Sequence, residues 1–280
     1  MALIDFILDL AGLLLWLNWR SAHFDPLAKS PPATLVGTLR RAEPSRLKRW
    51  HFLAAVALLL LFRGWLYWQI GAAVDWTPTL KLGAISISVR SDLLSRALLF
   101  SLLSFGATLI VFYLWLLFFS VVNGRSEEAE PLQKLVRLHL GWIERWPWPI
   151  KLVLPLFAVA LLWYALNPLL IRWEIIPPAN SATHRLEQAG VISLGVYLAW
   201  KYLITGLLLL YLLNSYVYLG NHPFWNFLTV TGRNTLAPFR MLPLRLGKID
   251  FAPVLAIAAV LVASRFAERG LTILYRHLPF

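Results

Sequence analysis

Residues 221–253 read NHPFWNFLTVTGRNTLAPFRMLPLRLGKIDFAP. The stretch joins two long apolar runs, 191–213 before it and 251–273 after it. It is too polar to cross a bilayer and too aromatic for an ordinary loop. Phe224, Trp225 and Phe227 open it, Pro223, Pro238, Pro243 and Pro253 punctuate it, and Arg233, Arg240, Arg245 and Lys248 make it basic. Such a composition suits the boundary between hydrocarbon and water, where an apolar body and a cationic tip are both satisfied. Two looser versions of the layout lie earlier, at 19–51 and 124–151.

The rest of the chain agrees with a membrane setting. Hydrophobic residues fill 59% of 280 positions, and the mean hydropathy is +0.65. Soluble domains run near about 45–50% apolar, so a soluble fold could not hide this much. Six runs, roughly 2–18, 52–70, 97–122, 150–171, 191–213 and 251–273, reach or approach the ~20 apolar residues of a transmembrane helix. The expected fold is therefore an all-α membrane protein with about six transmembrane helices. The first run is short for a span. A signal peptide would carry a basic leader and a small-residue cleavage site, whereas this run carries Asp5 and Asp9, so it reads as a retained helix. The absence of cysteine excludes disulfides, thiolate metal sites and iron–sulfur clusters.

The net charge of +12 would suggest nucleic acid in a soluble protein. Here its distribution points to lipid and sets topology. Connectors 19–51, 124–151 and 215–249 hold sixteen Lys and Arg, while 71–96 and 172–190 hold five. Basic loops stay cytoplasmic, which places the first group inside and both termini outside. Arg265, Arg269 and Arg276 near the C-terminus argue against this, though less than the early loops argue for it. Tryptophans gather near both sets of helix ends, as an interfacial belt does.

Several local readings follow in chain order. Thr34 to Trp50 mixes leucines with Arg40 and Arg41, as a basic amphipathic segment on the inner leaflet would; a solvated loop is the alternative. Ile85, Ile87 and Val89 alternate with polar residues, which predicts a short strand in an outer segment, 71–96. In 130–146, apolar residues recur at helical spacing and acidic residues lead basic ones, so an in-plane helix is expected. Its Leu135, Leu138 and Trp142 should face lipid or protein, and Arg137 and Arg145 should reach headgroups. Asn167-Pro168 predicts a kink or a stop, and 172–190 a second outer loop.

The layout repeats. Each unit is a helix ending near an asparagine (Asn18, Asn123, Asn214), a basic connector, and a second helix. Ile150-Lys151-Leu152-Val153-Leu154-Pro155 occupies the place of Ile249-Asp250-Phe251-Ala252-Pro253, which predicts that Pro155 and Pro253 begin their helices at matching depth. The expected organisation is three parallel two-helix repeats, 1–70, 71–172 and 173–280, joined by basic interfacial segments. The three asparagines should then lie at one depth, satisfying backbone groups freed where each odd helix ends.

At 221–253 the chain resembles the YggT (YlmG-like) family of small bacterial and plastid membrane proteins. The residues that carry the resemblance are Asn221, Pro223, Phe224, Trp225 and Asn226, then Thr235 to Arg240 with Pro238, then Pro243, and Ile249, Asp250 and Pro253. His222 after Asn221 departs from the family's opening, and Leu244 to Lys248 stands where a glycine pair is frequent. The resemblance covers the last third of the chain. It implies a bacterial inner-membrane protein of scaffold type, with relatives linked to osmotic tolerance, cell division and assembly of membrane complexes.

No catalytic signature appears: there is no HExxH, P-loop, GxGxxG, GxSxG or cysteine nucleophile. The histidines lie in connectors or at helix ends and read as caps, so neither metal, haem nor another cofactor is expected. Charges within spans are costly and mark function by default. Asp9, Arg63, Lys201 and Arg265 are the candidates, with Asp5 beside them. Asp9 should pair with Arg63, and Lys201 needs a carboxylate, a carbonyl or water. The favoured function is a non-enzymatic scaffold or assembly protein that holds anionic membrane lipids or other membrane proteins through Arg40, Arg41, Arg137, Arg145, Trp225, Arg240 and Arg245. The alternative is a transporter or channel subunit for ions or small solutes, with Lys201 lining a polar path. Nucleic acid is not expected as a partner, and self-association is left open.

Overall fold

A computed structural model describes residues 2–21, 49–74, 77–124, 130–178, 181–217, 222–241, 245–246 and 249–278. In chain order the elements are α1 (Ala2–Ser21), α2 (Arg49–Val74), β1 (Thr79–Leu82), β2 (Ile85–Ser88), α3 (Leu94–Asn123) and α4 (Glu130–Leu140), whose end runs into a 3₁₀ turn, Gly141–Arg145. Next come α5 (Trp148–Arg172), α6 (Ala182–Val196), a 3₁₀ turn at Tyr197–Ala199, α7 (Trp200–Tyr216) and α8 (Pro223–Thr235). A 3₁₀ turn at Ala237–Met241, the two-residue strands β3 (Arg245–Leu246) and β4 (Ile249–Asp250), and α9 (Ala252–Arg276) complete it. Arg40, Arg41 and Asn221 lie outside the described residues, as do the side chains of Arg240, Arg245 and Asp250.

Among the described residues, four helical runs are long and apolar enough to cross a membrane: Trp50–Gly71, Leu94–Asn123, Trp148–Arg172 and Ala182–Tyr216. This is an integral membrane protein by length and composition of its helices. α1 and α9 are also long, at 20 and 25 residues, but carry more charge: Asp5, Asp9 and Arg20 in one, Arg265, Glu268, Arg269 and Arg276 in the other.

The chain divides into two compact units. The first holds Met1–Pro78 and Val89–Leu109. In it α1 packs along α2, and Ser101 of α3, fully buried, donates to the Leu60 carbonyl at 2.9 Å. Hydroxyls that reach across helix pairs in this way replace the hydrophobic drive that hydrocarbon cannot supply.

The second unit holds Thr79–Ser88 and Ile110–Phe280. Its longest pairing is α5 against α6, and α9 packs on both α6 and α7. The expected strand at Ile85 is one arm of an antiparallel hairpin, with Leu80 opposite Ile87. The hairpin turns at Gly83, with φ +63°, and presses on the backbone of Gly195 in α6. A Cβ on Gly83 would stand 2.3 Å from the Gly195 carbonyl, so neither the dihedral nor the space admits a side chain. Thr272 of α9 reaches the Ala84 carbonyl at 3.5 Å beside this contact.

Three local expectations are corrected. Of the kink or stop expected at Pro168, the stop is excluded: α5 continues to Arg172. Pro155 lies inside α5, seven residues after Trp148, whereas Pro253 sits in the first turn of α9. The starter prolines of α5 are Pro147, at its N-cap, and Pro149. Interior prolines are tolerated in membrane helices when a neighbour takes the loosened backbone groups. The Tyr197 hydroxyl does so here, donating to the Leu152 carbonyl next to Pro155. The expected outer loop at 172–190 gives way to helix at Ala182, because Ser181 caps it by accepting from the His184 N–H at 3.1 Å.

Replacement of Gly83 by alanine should undock the hairpin. The expected outcome is a thermal midpoint in detergent lower by several degrees, with Gly106→Ala, which meets open space, as the neutral control.

Candidate functional site

In the first unit the charges of α1 and α2 close on one another. Asp5 and Asp9 are four residues apart on α1, and Arg63 and Tyr67 are four apart on α2, so each pair shares a helix face. Arg63 is 1% exposed. Its Nη1 donates to Asp9 Oδ1 at 2.5 Å, its Nη2 to Ser104 Oγ at 3.0 Å, and its Nε to the Tyr67 hydroxyl at 2.6 Å. Tyr67 in turn donates to Asp5, whose carboxylate also lies 3.8 Å from Arg63 Nη2. The expected Asp9–Arg63 pair is present. Its wider shell was not anticipated, although the two matched four-residue spacings are a signal that the sequence carries.

In the second unit two short amphipathic helices, α4 and α8, pack on each other and on the C-terminal part of α3. At 1.5 Å per residue the 30 residues of α3 extend about 45 Å, well beyond the ~30 Å of hydrocarbon, so the helix can cross and still offer its last turns as a seat. Val136 and Leu140 of α4 bury against Leu116 and Leu117 of α3, and Ile143 of the 3₁₀ turn joins them. The opposite face of α4 carries Lys134, Leu135 (50% exposed) and Arg137, followed by Trp142 (71%) and Arg145, all exposed. Leu138 is only half-buried.

Beneath that face, Lys151 at the start of α5 is buried. It donates to Ser120 Oγ of α3 at 2.7 Å and lies 3.4 Å from Glu144 Oε2. Ser120 also donates to Glu144, and the other Glu144 oxygen is 3.9 Å from Arg137 Nε. Glu144 thus joins an inner lysine to an outer arginine and fixes the 3₁₀ turn to both long helices.

α8 is held by asparagines. Asn123, fully buried at the end of α3, donates to Thr231 Oγ1 at 2.7 Å, and Asn234 Nδ2 lies 3.3 Å from both Asn123 Oδ1 and the Val122 carbonyl. Asn214 of α7 donates to Thr229 Oγ1 at 2.9 Å. Thr229 and Thr231 each donate their own hydroxyl proton to the carbonyl four residues back, which leaves a lone pair for the amide. The expectation that each asparagine satisfies its own helix end is therefore corrected for these two: both reach threonines of α8. Asn18 is exposed. At the front of α8, His222 caps the helix by accepting from the Phe224 N–H, Pro223 fits the first turn, Phe224 and Asn226 are exposed, and Trp225 is half-buried. Pro238 is exposed in the following 3₁₀ turn.

Lys201 pairs with Glu268 of α9 at 3.1 Å and lies over the ring of Tyr202. Arg265 is exposed one turn before Glu268. Among the described residues no cluster of three His, Asp or Glu side chains could hold a metal. His139 and His277 turn a ring nitrogen to the carbonyl four residues back, at 2.8 Å each.

No family model, curated protein or solved structure matches the chain.

Two outcomes test these assignments. Arg63→Leu strands two carboxylates and should cost about 3–5 kcal/mol of stability, seen as a large loss of thermal midpoint in detergent, with partial rescue when Asp5→Asn and Asp9→Asn are added. Asn123→Ala leaves a buried hydroxyl short of its donor and should cost about 1–3 kcal/mol, with faster tryptic cleavage at Arg233 of α8 as the local readout.

Proposed function

We propose that the protein is a non-enzymatic scaffold of the YggT type in a bacterial inner membrane, and that α4 and α8 form its working face. On this reading α1 and α9 cross the bilayer too, giving six spans in three parallel two-helix units with both termini outside. The α4 and α8 layer then lies on the cytoplasmic side and holds anionic lipid headgroups or the basic-seeking face of another membrane protein.

The observation that carries the reading is the construction of the layer. Its inner side is fixed to α3, α5 and α7 by buried and half-buried polar bonds: Glu144 to Ser120 and Lys151, Thr231 to Asn123, and Thr229 to Asn214. Its outer side presents Arg137, Arg145 and Trp142, with Arg137 approaching Glu144 at 3.9 Å and Trp142 meeting Trp146 edge to face at 5.1 Å between ring centroids. A rigid, outward-facing mixture of arginine and indole matches a phosphate surface, to which each cation contributes about 1 kcal/mol. The repeat is supported by the second and third units, which each run long helix, short amphipathic helix, 3₁₀ turn, long helix.

A transporter for ions or small solutes is the second reading, favoured by the intramembrane charges. Two of the three cations have carboxylate partners within their own units, Arg63 with Asp9 and Lys201 with Glu268, and the third, Arg265, is exposed, which suits helix pairing better than a conducting path.

The test is native mass spectrometry of protein taken from vesicles of phosphatidylglycerol and phosphatidylcholine. The scaffold reading expects retained phosphatidylglycerol, reduced by about tenfold in affinity for Arg137→Glu/Arg145→Glu. Equal retention of both lipids, or cation-dependent solute flux in proteoliposomes that is lost in Lys201→Gln, would overturn it.

A further inference from the structure

We propose that the second unit holds a binding site for a single lipid acyl chain beneath α8. The proposal requires only that the protein sits in a bilayer, and does not depend on headgroup binding by α4.

A crevice of about 290 Å³ opens between α3, α7 and the first turns of α8. Its walls include Trp115 and Phe119 of α3, Gly206 and Leu207 of α7, and Phe224 and Phe227 of α8. Phe119 and Phe227 meet edge to face in its lining, with ring centroids 5.5 Å apart. The one polar atom of the Trp115 side chain is turned away: its indole N–H donates to the Ala199 carbonyl at 3.4 Å. Only the hydrocarbon face of that ring is left for an occupant.

The chemistry of the walls selects the guest. Apart from the Tyr202 hydroxyl at one end, the lining is hydrocarbon, so a headgroup, a sugar or an extended peptide would bury most of its polar atoms without partners, at a cost of about 2–7 kcal/mol each. A helix satisfies its own backbone but is about 10–12 Å across, far wider than a crevice of this volume allows. An apolar cavity of ~150 Å³ takes a benzene ring, so the present space is about twice that and suits a flexible saturated chain. Along α7 the lining runs from Tyr202 to Leu210, about 12 Å at 1.5 Å per residue, which is an elongated shape. α7 belongs to a run long and apolar enough to cross the membrane, so acyl chains are the medium at its mouth.

Gly206 keeps the space open. A Cβ built there meets no atom within 4 Å, so a larger side chain would enter the crevice without displacing its walls. Gly270 of α9 has the same freedom away from the crevice.

The experiment uses the full chain in vesicles of phosphatidylcholine that carries a photoactivatable diazirine near the middle of one acyl chain. The neutral headgroup separates this result from the anionic-lipid reading. Peptides covering Trp115–Phe119, Tyr202–Leu210 and Phe224–Leu228 should carry the label above the exposed apolar faces of α5 and α9. Gly206→Leu should lower it there by about fivefold or more, while Gly270→Leu leaves it unchanged. Leu210→Trp, at the rim, provides a second plug if Gly206→Leu fails to fold. Label spread evenly over all lipid-facing helices, or unaffected by either plug, would mean annular lipid only and overturn the proposal. Protection of these peptides by a second copy or another protein, read as a photo-cross-linked protein adduct at Gly206→Cys alkylated with a benzophenone maleimide, would overturn it as well.

Discussion

A buried amide has to find its partner within the protein when no water can reach it, and the end of α3 shows what that demands. Asn123 is fully enclosed, and its N–H meets a threonine hydroxyl that has already given its own proton to the carbonyl one turn back. Together with the bonds of Asn214 to Thr229 and Asn234 to Asn123, that bond holds one face of α8 inward. Phe227 and Val230 follow onto Phe119, and Gly232 lets α8 come so near Tyr211 that a Cβ would stand 2.7 Å from its ring. The position of α8 and the crevice beneath it go with this anchoring, while α4 is seated separately by Val136, Leu140 and Glu144.

The same economy governs the charges. Arg63 has donors for two carboxylates and two hydroxyls and is nearly fully enclosed. Lys151 and Lys201 each meet a glutamate. A cation matched in this way is a specific joint between helices, because truncating either partner leaves the other stranded. Arg137 and Arg145, at the outer face of the layer, instead turn their charge to the surroundings, as Arg233, Arg265, Arg269 and Arg276 also do.

Much of this was legible from residue order. Long apolar runs mark the four membrane-length helices, alternation marks the β1–β2 hairpin, and helical spacing with leading acids marks α4. The Asp9–Arg63 pair follows from depth along neighbouring helices. What the sequence hid was cross-helix chemistry. Nothing in the pattern 229–235 says that Thr229 and Thr231 will accept from asparagines 15 and 108 residues away in the chain. α8 was concealed because proline and glycine, here a first-turn fit and a close-approach site, look like loop signals. Pro155 and Pro168 misled for a related reason: proline breaks helices in water, where no neighbour holds the segment, and does so less within packed membrane helices.

The separation of the paired charges along the chain has a consequence for biogenesis. Asp9 precedes Arg63 by 54 residues, and Lys201 precedes Glu268 by 67. At a synthesis rate of ~5–20 residues per second, each earlier charge waits roughly 3–13 s before its partner has even been made. During that interval the helix carrying it cannot rest in hydrocarbon alone. Each pair can therefore join its helices only after the second of them, α2 or α9, has been made.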